Sequence, residues 1–222
     1  MPVAMSDSRS RSEVGDSAQS PRALAIAVLG DILSSKVRAS ILAWIAPRLD
    51  TRFSLTALSR NLGAPISSLQ HECYKLERLG VLQGRREGIS RRYKAQLDHA
   101  LTRPLIDLTI ATLGLESVLR ESLTDAATVE LAVIVGPDAT IDRERLMLVM
   151  IGGVDLAGLD RAHRRVSLVL GIEPEHLDLA YFRSDDWLAH RESGHPLLQR
   201  IAARPIQPII GAWPTLPDRD DA

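Results

Sequence analysis

A mixed α+β chain made of two unlike halves is predicted by three observations. Helical spacing of apolar residues dominates residues 22–79 and then gives way to a short arginine-rich hairpin. From residue 128 onward, apolar runs of strand length alternate with helical patterns. The charge divides as sharply as the pattern. Residues 34–94 carry 12 Lys and Arg against 4 Asp and Glu, and residues 95–222 carry 12 against 20, so the overall net charge of −1 conceals balances of +8 and −8. With 222 residues, 45% hydrophobic and 25% charged, the chain has room for two small globular domains.

Residues 1–20 are polar, Ser-rich and without period, which predicts a disordered tail. Residues 22–33 alternate Ala, Leu, Ile and Val and predict a helix that packs on the following module or on a second subunit. The next helix, residues 36–49, gathers Val37, Ile41, Trp44 and Ile45 on one side, and residues 52–54 fit a short strand. Ser54 then stands where an N-cap should for a helix over residues 55–62, which Gly63 closes. Pro65 suits a first helical position, and a second helix runs to Leu79 before Gly80.

Leu69, Cys73, Leu76 and Leu79 recur at spacings of three and four, so one face of this second helix docks on a core. The opposite face displays Ser67, Ser68, Gln70, His71, Tyr74, Lys75 and Arg78: donors, acceptors and cations with almost no carboxylate. That inventory suits a helix laid in the major groove of DNA. Residues 81–94 follow as strand, glycine-containing turn and strand, with Arg85, Arg86, Arg91, Arg92 and Lys94 against Glu87 alone. A hairpin of that charge behind a helix-turn-helix reads as the wing of a winged helix, with cations placed to meet phosphates.

One cysteine, Cys73, excludes an internal disulfide and reads as a small buried hydrophobe. His163, His176, His190 and His195 are scattered without ligand spacing, so no metal site and no cofactor is expected. No apolar run reaches the roughly 18 residues of a membrane span. The N-terminal residues lack a secretory pattern, and a cytoplasmic location is expected.

Residues 98–126 carry a long amphipathic pattern, interrupted near Pro104 and Gly114, that predicts a connecting helix with surplus apolar surface and hence a dimer contact. Beyond it, strands are predicted over residues 129–135, 146–151 and 177–182. Helices are predicted over 159–170 and 197–202, and 206–210, with Pro208 inside it, fits only an edge strand. Asp185 and Asp186 are expected to cap a helix containing Trp187 and Leu188. The expected organisation is a tail at 1–20, a winged helix-turn-helix at 21–97, a connecting helix at 98–126, an α/β domain at 127–212 and a flexible tail at 213–222.

The order Leu131-Ala-Val-Ile-Val-Gly136, a polar loop, residues 146–152, Val154-Asp155-Leu156, a helix and then residues 177–182 resembles the minimal nucleotidyltransferase domain. Together with the N-terminal half, and with Gly194-His195-Pro196-Leu197-Leu198 near the end, residues 33–211 resemble bacterial winged-helix regulators of the arsenical-repressor type fused to such a domain. The resemblance implies a Gly-Ser pair after the first strand and an Asp-x-Asp pair opening the second, which hold Mg²⁺ at nucleotide phosphates. Here Gly136 is followed by Pro137, the two carboxylate positions hold Arg145 and Met147, and only Asp178 keeps a third carboxylate.

Neither Arg nor Met ligates Mg²⁺, and proline donates no N–H to a phosphate. Asp138, Asp142 and Glu144 are near in sequence but do not replace the missing pair on the same face of the strand. The implied domain is therefore a degenerate relative and not an enzyme. It is left with assembly, or with an anionic, nucleotide-like or other small-molecule effector held by Arg145 and the Gly136 turn. The expected function is a dimeric, DNA-binding transcriptional repressor with double-stranded DNA as its partner. An active toxin-antitoxin nucleotidyltransferase and a protein-recruiting module are the alternatives.

Overall fold

Two sheets flanked by helices share one apolar core. The computed structural model describes residues 20–124, 128–137 and 145–214. The expected tail at 1–20, apart from Ser20, lies outside the described residues, as do Asp138, Asp142 and Glu144.

Helix α1 (Pro21–Ile32) opens on Ser20, whose side chain accepts from the Ala23 amide, with Pro21 at the first turn. Helix α2 (Lys36–Ile45) is capped in the same way by Ser35, and a 3-10 turn (Ala46–Arg48) leads to strand β1 (Phe53–Ser54). Helix α3 (Leu55–Leu62) begins with the Ser54 hydroxyl accepting from Ala57 N–H and ends at Gly63, where φ is 63°. Helix α4 (Ile66–Arg78) follows. Pro65 is its N-cap residue, with φ −60° and ψ 138°, and not the first helical residue as expected. Extended ψ at Pro65 turns the chain between the two helices.

Strands β2 (Leu82–Glu87) and β3 (Ser90–Ala95) pair antiparallel, and β1 joins the far side of β3, giving the order β1-β3-β2. The turn between them is Gly88-Ile89, with glycine at φ 60° in the first central position, where a tight hairpin of this kind demands positive φ. Helices, then this hairpin, then a return helix are the element order expected of a winged helix-turn-helix.

The connecting segment is not one helix. Helices α5 (Thr102–Leu113) and α6 (Leu115–Ser122) meet at Gly114, whose φ of 85° no helix interior accommodates. Nor does its apolar surplus stand free: Ile106, Ile110, Val118, Leu119 and Leu123 are buried within the chain.

The second sheet has the order β6-β5-β4-β7, from strands β4 (Val129–Val135), β5 (Leu146–Gly152), β6 (Leu177–Phe182) and β7 (Ile206–Ile210). β4 pairs antiparallel with β5 and β7, and β5 pairs parallel with β6 through helix α7 (Leu156–Leu170). β7 lies at the edge, where its proline is tolerated. α7 starts three residues before the expected position because Asp155 accepts from Gly158 N–H at 2.7 Å.

Helices α8 (Ser184–Glu192) and α9 (Pro196–Ala202) cover the other face. Asp185 and Asp186 do not cap α8: Arg183 is the N-cap residue, and the two carboxylates lie in the first turn, where the helix dipole favours them. Trp213 packs edge-on against Trp187 with ring centroids 5.3 Å apart, so the tail expected to fray at residue 213 is still anchored there.

One cluster of buried residues runs without a break from Ile41 and Leu42 through Leu69, Leu76, Ile106 and Leu119 to Leu148, Val166 and Ile209. A smaller one lies between the second sheet and α8–α9, around Val133, Val149 and Leu198. The two halves thus share a core across α5 and α6. Arg165 of α7 reinforces that joint: almost fully buried, it donates to Asp50 at 3.1 Å and to Thr51 Oγ1 at 3.4 Å.

Candidate nucleic-acid interface

Burial sorts the side chains of α4 by helical face. Leu69, Cys73 and Leu76 are fully buried, and Ser67, Gln70, His71, Tyr74 and Arg78 are exposed on the opposite side. Ser68 and Lys75 lie at the margin. Leu79 is exposed, unlike its expected place on the docking face, because the helix has ended at Arg78. Ser67, Gln70, His71 and Tyr74 line a groove of about 420 Å³ whose far wall is Arg91 and Tyr93 of β3.

The base of α4 is fixed electrostatically. Glu72 is buried and accepts from Arg38 Nε at 2.9 Å and Lys75 Nζ at 3.1 Å. Burial alone would raise its carboxyl; the Lys75 and Arg38 cations outweigh that and hold it below its ordinary value. Burial, assisted by the Glu72 and Glu77 carboxylates, pushes the Cys73 thiol up to about 12. It is therefore a thiol at neutral pH, with none of the thiolate character that a reactive cysteine needs.

The hairpin places its cations in like-charged cross-strand pairs, Arg85 opposite Arg92 and Arg86 opposite Arg91. Like charges directly opposite on a two-stranded ribbon are destabilising. Two carboxylates partly offset this. Glu77 of α4 holds Arg91 at 2.6 Å, and Glu87 holds Arg92 at 3.1 Å and Arg52 at 2.6 Å. Arg78, Arg85, Arg86 and Lys94 have no acidic partner among the described residues. Ile89 at the hairpin tip is fully exposed.

The expected set of eleven contact residues therefore divides. Ser67, Gln70, His71, Tyr74 and Arg78 stand open on one face of α4, with Ser68 beside them; Arg85 and Arg86 are exposed on opposite faces of the ribbon, Arg86 on the side of Arg91 and Arg85 on the side of Arg92. Lys75, Arg91 and Arg92, expected as phosphate contacts, are already ion-paired to Glu72, Glu77 and Glu87. Residue spacing could not show this for Arg91, whose partner is 14 positions away on another element.

At the other end of the molecule, the register brings the second candidate group together. Val135 lies opposite Met147 and Met147 opposite Asp178, so Gly136, Arg145, Met147 and Asp178 collect at one end of the sheet. Their polar groups are turned on one another. Arg145 Nη1 donates to Asp178 Oδ1 at 2.7 Å, so a guanidinium pairs with the carboxylate that the resemblance assigns to a metal. The Gly136 amide donates to Pro205 O at 2.7 Å, and its carbonyl accepts from Arg204 Nε at 2.7 Å. The Gly136 amide, expected to help hold an anion, is thus engaged within the chain. Among the described residues no group of three His, Cys, Asp or Glu side chains could hold a metal ion.

No family model matches the chain, and no curated protein matches it. Among solved structures it is similar to reduced HlyU from Vibrio cholerae N16961, at 24% identity over 40% of this chain and 87% of that one, with a TM-score of 0.31. Among the described residues no helix is long and apolar enough to cross a membrane.

Proposed function

We propose that this chain is a DNA-binding transcription regulator whose C-terminal half is a degenerate, non-catalytic relative of the nucleotidyltransferase domain. The observation that carries the reading is the register that sets like charges opposite one another on the ribbon, Arg86 with Arg91 on the face beside the exposed polar side of α4 and Arg85 with Arg92 on the other face. A protein keeps opposed arginines on an exposed ribbon at a cost in stability, and a polyanion laid along them offsets that cost. In this reading Gln70, His71, Ser67 and Tyr74 approach base edges, and Arg78, Arg85 and Arg86 hold phosphates.

Dimerisation through α1 fits the same reading. Leu24, Val28 and Ile32, spaced by four, form one stripe with exposures of 59%, 47% and 55%. A paired reader would engage two half-sites. Repression is the proposed outcome, since a bound dimer occludes its site.

Fluorescence anisotropy with labelled duplex DNA tests the proposal. Binding at 50 mM salt that weakens by about 10³-fold or more at 200 mM is expected for six or more phosphate contacts. Absence of binding to any duplex at 50 mM salt would overturn it.

A further inference from the structure

A second cavity lies at the joint between the two halves, away from both surfaces described above. Its volume is about 320 Å³, near the lower end of the roughly 300–1,000 Å³ typical of small-molecule sites. Leu49, Ile106, Leu168 and Ile172 give it apolar walls, contributed by the basic half, by α5 and by the end of α7. Thr102, the first residue of α5, is in the wall, fully buried, and its hydroxyl has no hydrogen-bond partner. Buried hydroxyls are nearly always satisfied, so an orphan beside a cavity points to a group that enters it.

The charges around the cavity select the ligand's sign. Both arginines in the wall are committed: Arg103 donates to Leu168 O at 2.9 Å and Val169 O at 3.3 Å and pairs with Asp107, and Arg164 pairs with Asp160 at 2.7 Å. Asp98 and Glu173 also line the cavity and have no ion-pair or hydrogen-bond partner for their carboxylates among the described residues. The last carbonyls of α7 are capped by Arg103 and add little, and the N-terminus of α5 is equivalent to only about half a charge, against two full carboxylates.

We propose that this cavity binds a small organic cation, a protonated primary amine on an apolar body, with the ammonium between Asp98 and Glu173 and a donor to Thr102 Oγ1. Entry loosens the seam where Arg103 of α5 caps the last carbonyls of α7. α5 packs on α2, and α2 packs on α4, so a shift of α5 reaches the exposed helix face. The site stands without the DNA-binding reading; only its regulatory role rests on that reading.

Calorimetry on the full chain with 2-phenylethylamine, 2-phenylethanol and phenylacetate tests the site without DNA. The amine is expected to bind and the other two to bind at least tenfold more weakly, and the double variant Asp98→Asn/Glu173→Gln should weaken the amine by about tenfold or more. Ile172→Trp, which fills the cavity, should abolish binding. Phenylacetate binding as tightly as the amine, no binding of the amine, or amine binding untouched by these variants would overturn the assignment. Duplex affinity measured with and without saturating amine tests the coupling: a shift of several-fold in the wild type and none in Ile172→Trp is expected, and equal shifts or none in both would overturn the regulatory role.

Discussion

The hairpin and the end of the second sheet both place arginines beside carboxylates, and they use them in opposite ways. In the hairpin, five cations face two nearby acids, so Arg85, Arg86 and Lys94 keep their charge for something outside the protein. At the sheet end, Arg145 is turned on Asp178, and the Gly136 turn is closed by Pro205 and Arg204. The lesson is that a basic residue marks a binding surface only when the fold denies it an internal partner. Excess of one sign makes the first region a candidate interface, and local neutrality makes the second a piece of structure.

Arg165→Ala should destabilise the chain by about 1–3 kcal/mol, since it leaves Asp50 without its buried cation, and urea denaturation measures it. A smaller, outward effect is expected from Glu77→Gln, which releases Arg91 and removes a carboxylate from the groove. Duplex affinity should rise several-fold at low salt, and a fall would show that Glu77 positions Arg91 and does not restrain it. Arg145→Ala should change stability by no more than about 1 kcal/mol, because both partners are nearly half exposed.

The smallest expected effect is chemical. Cys73 should resist alkylation at neutral pH in the folded chain and react fully once unfolded, because burial holds its thiol at about 12. Ready labelling of the native protein would show that α4 opens from its core.

The elements themselves were largely legible. Ser54 and Gly63 bracket α3, Gly80 ends α4's segment, and Pro208 sends β7 to the edge, because caps and prolines act within a few residues of themselves. Less was legible where the cause lay on another element. The surplus of Leu and Ile in residues 98–126 suggested a partner subunit, but α1, α2, α7 and β7 of the same chain meet that segment. The exposed stripe is on α1 instead. Gly136 reads as an anion-binding turn in sequence, and its amide is engaged by Pro205, which precedes β7 and lies far along the chain. Likewise, composition counts Arg91 and Arg92 equal to Arg85 and Arg86; Glu77 of α4 sets Arg91 apart, and Glu87 of the ribbon itself sets Arg92 apart. The α5–α7 cavity belongs to no motif, since its walls come from three separate stretches of chain.

In the proposed reading, the ribbon arginines without an acidic partner among the described residues hold DNA phosphates. Duplex affinity should be measured across 50 to 200 mM salt for the wild type, Arg85→Ala/Arg86→Ala and Arg91→Ala/Arg92→Ala. Loss of the first pair should flatten the log K against log salt slope by about 1.8, or about 0.9 for each phosphate contact, and loss of the second pair should flatten it less. A slope that Arg85→Ala/Arg86→Ala leaves unchanged would contradict the account.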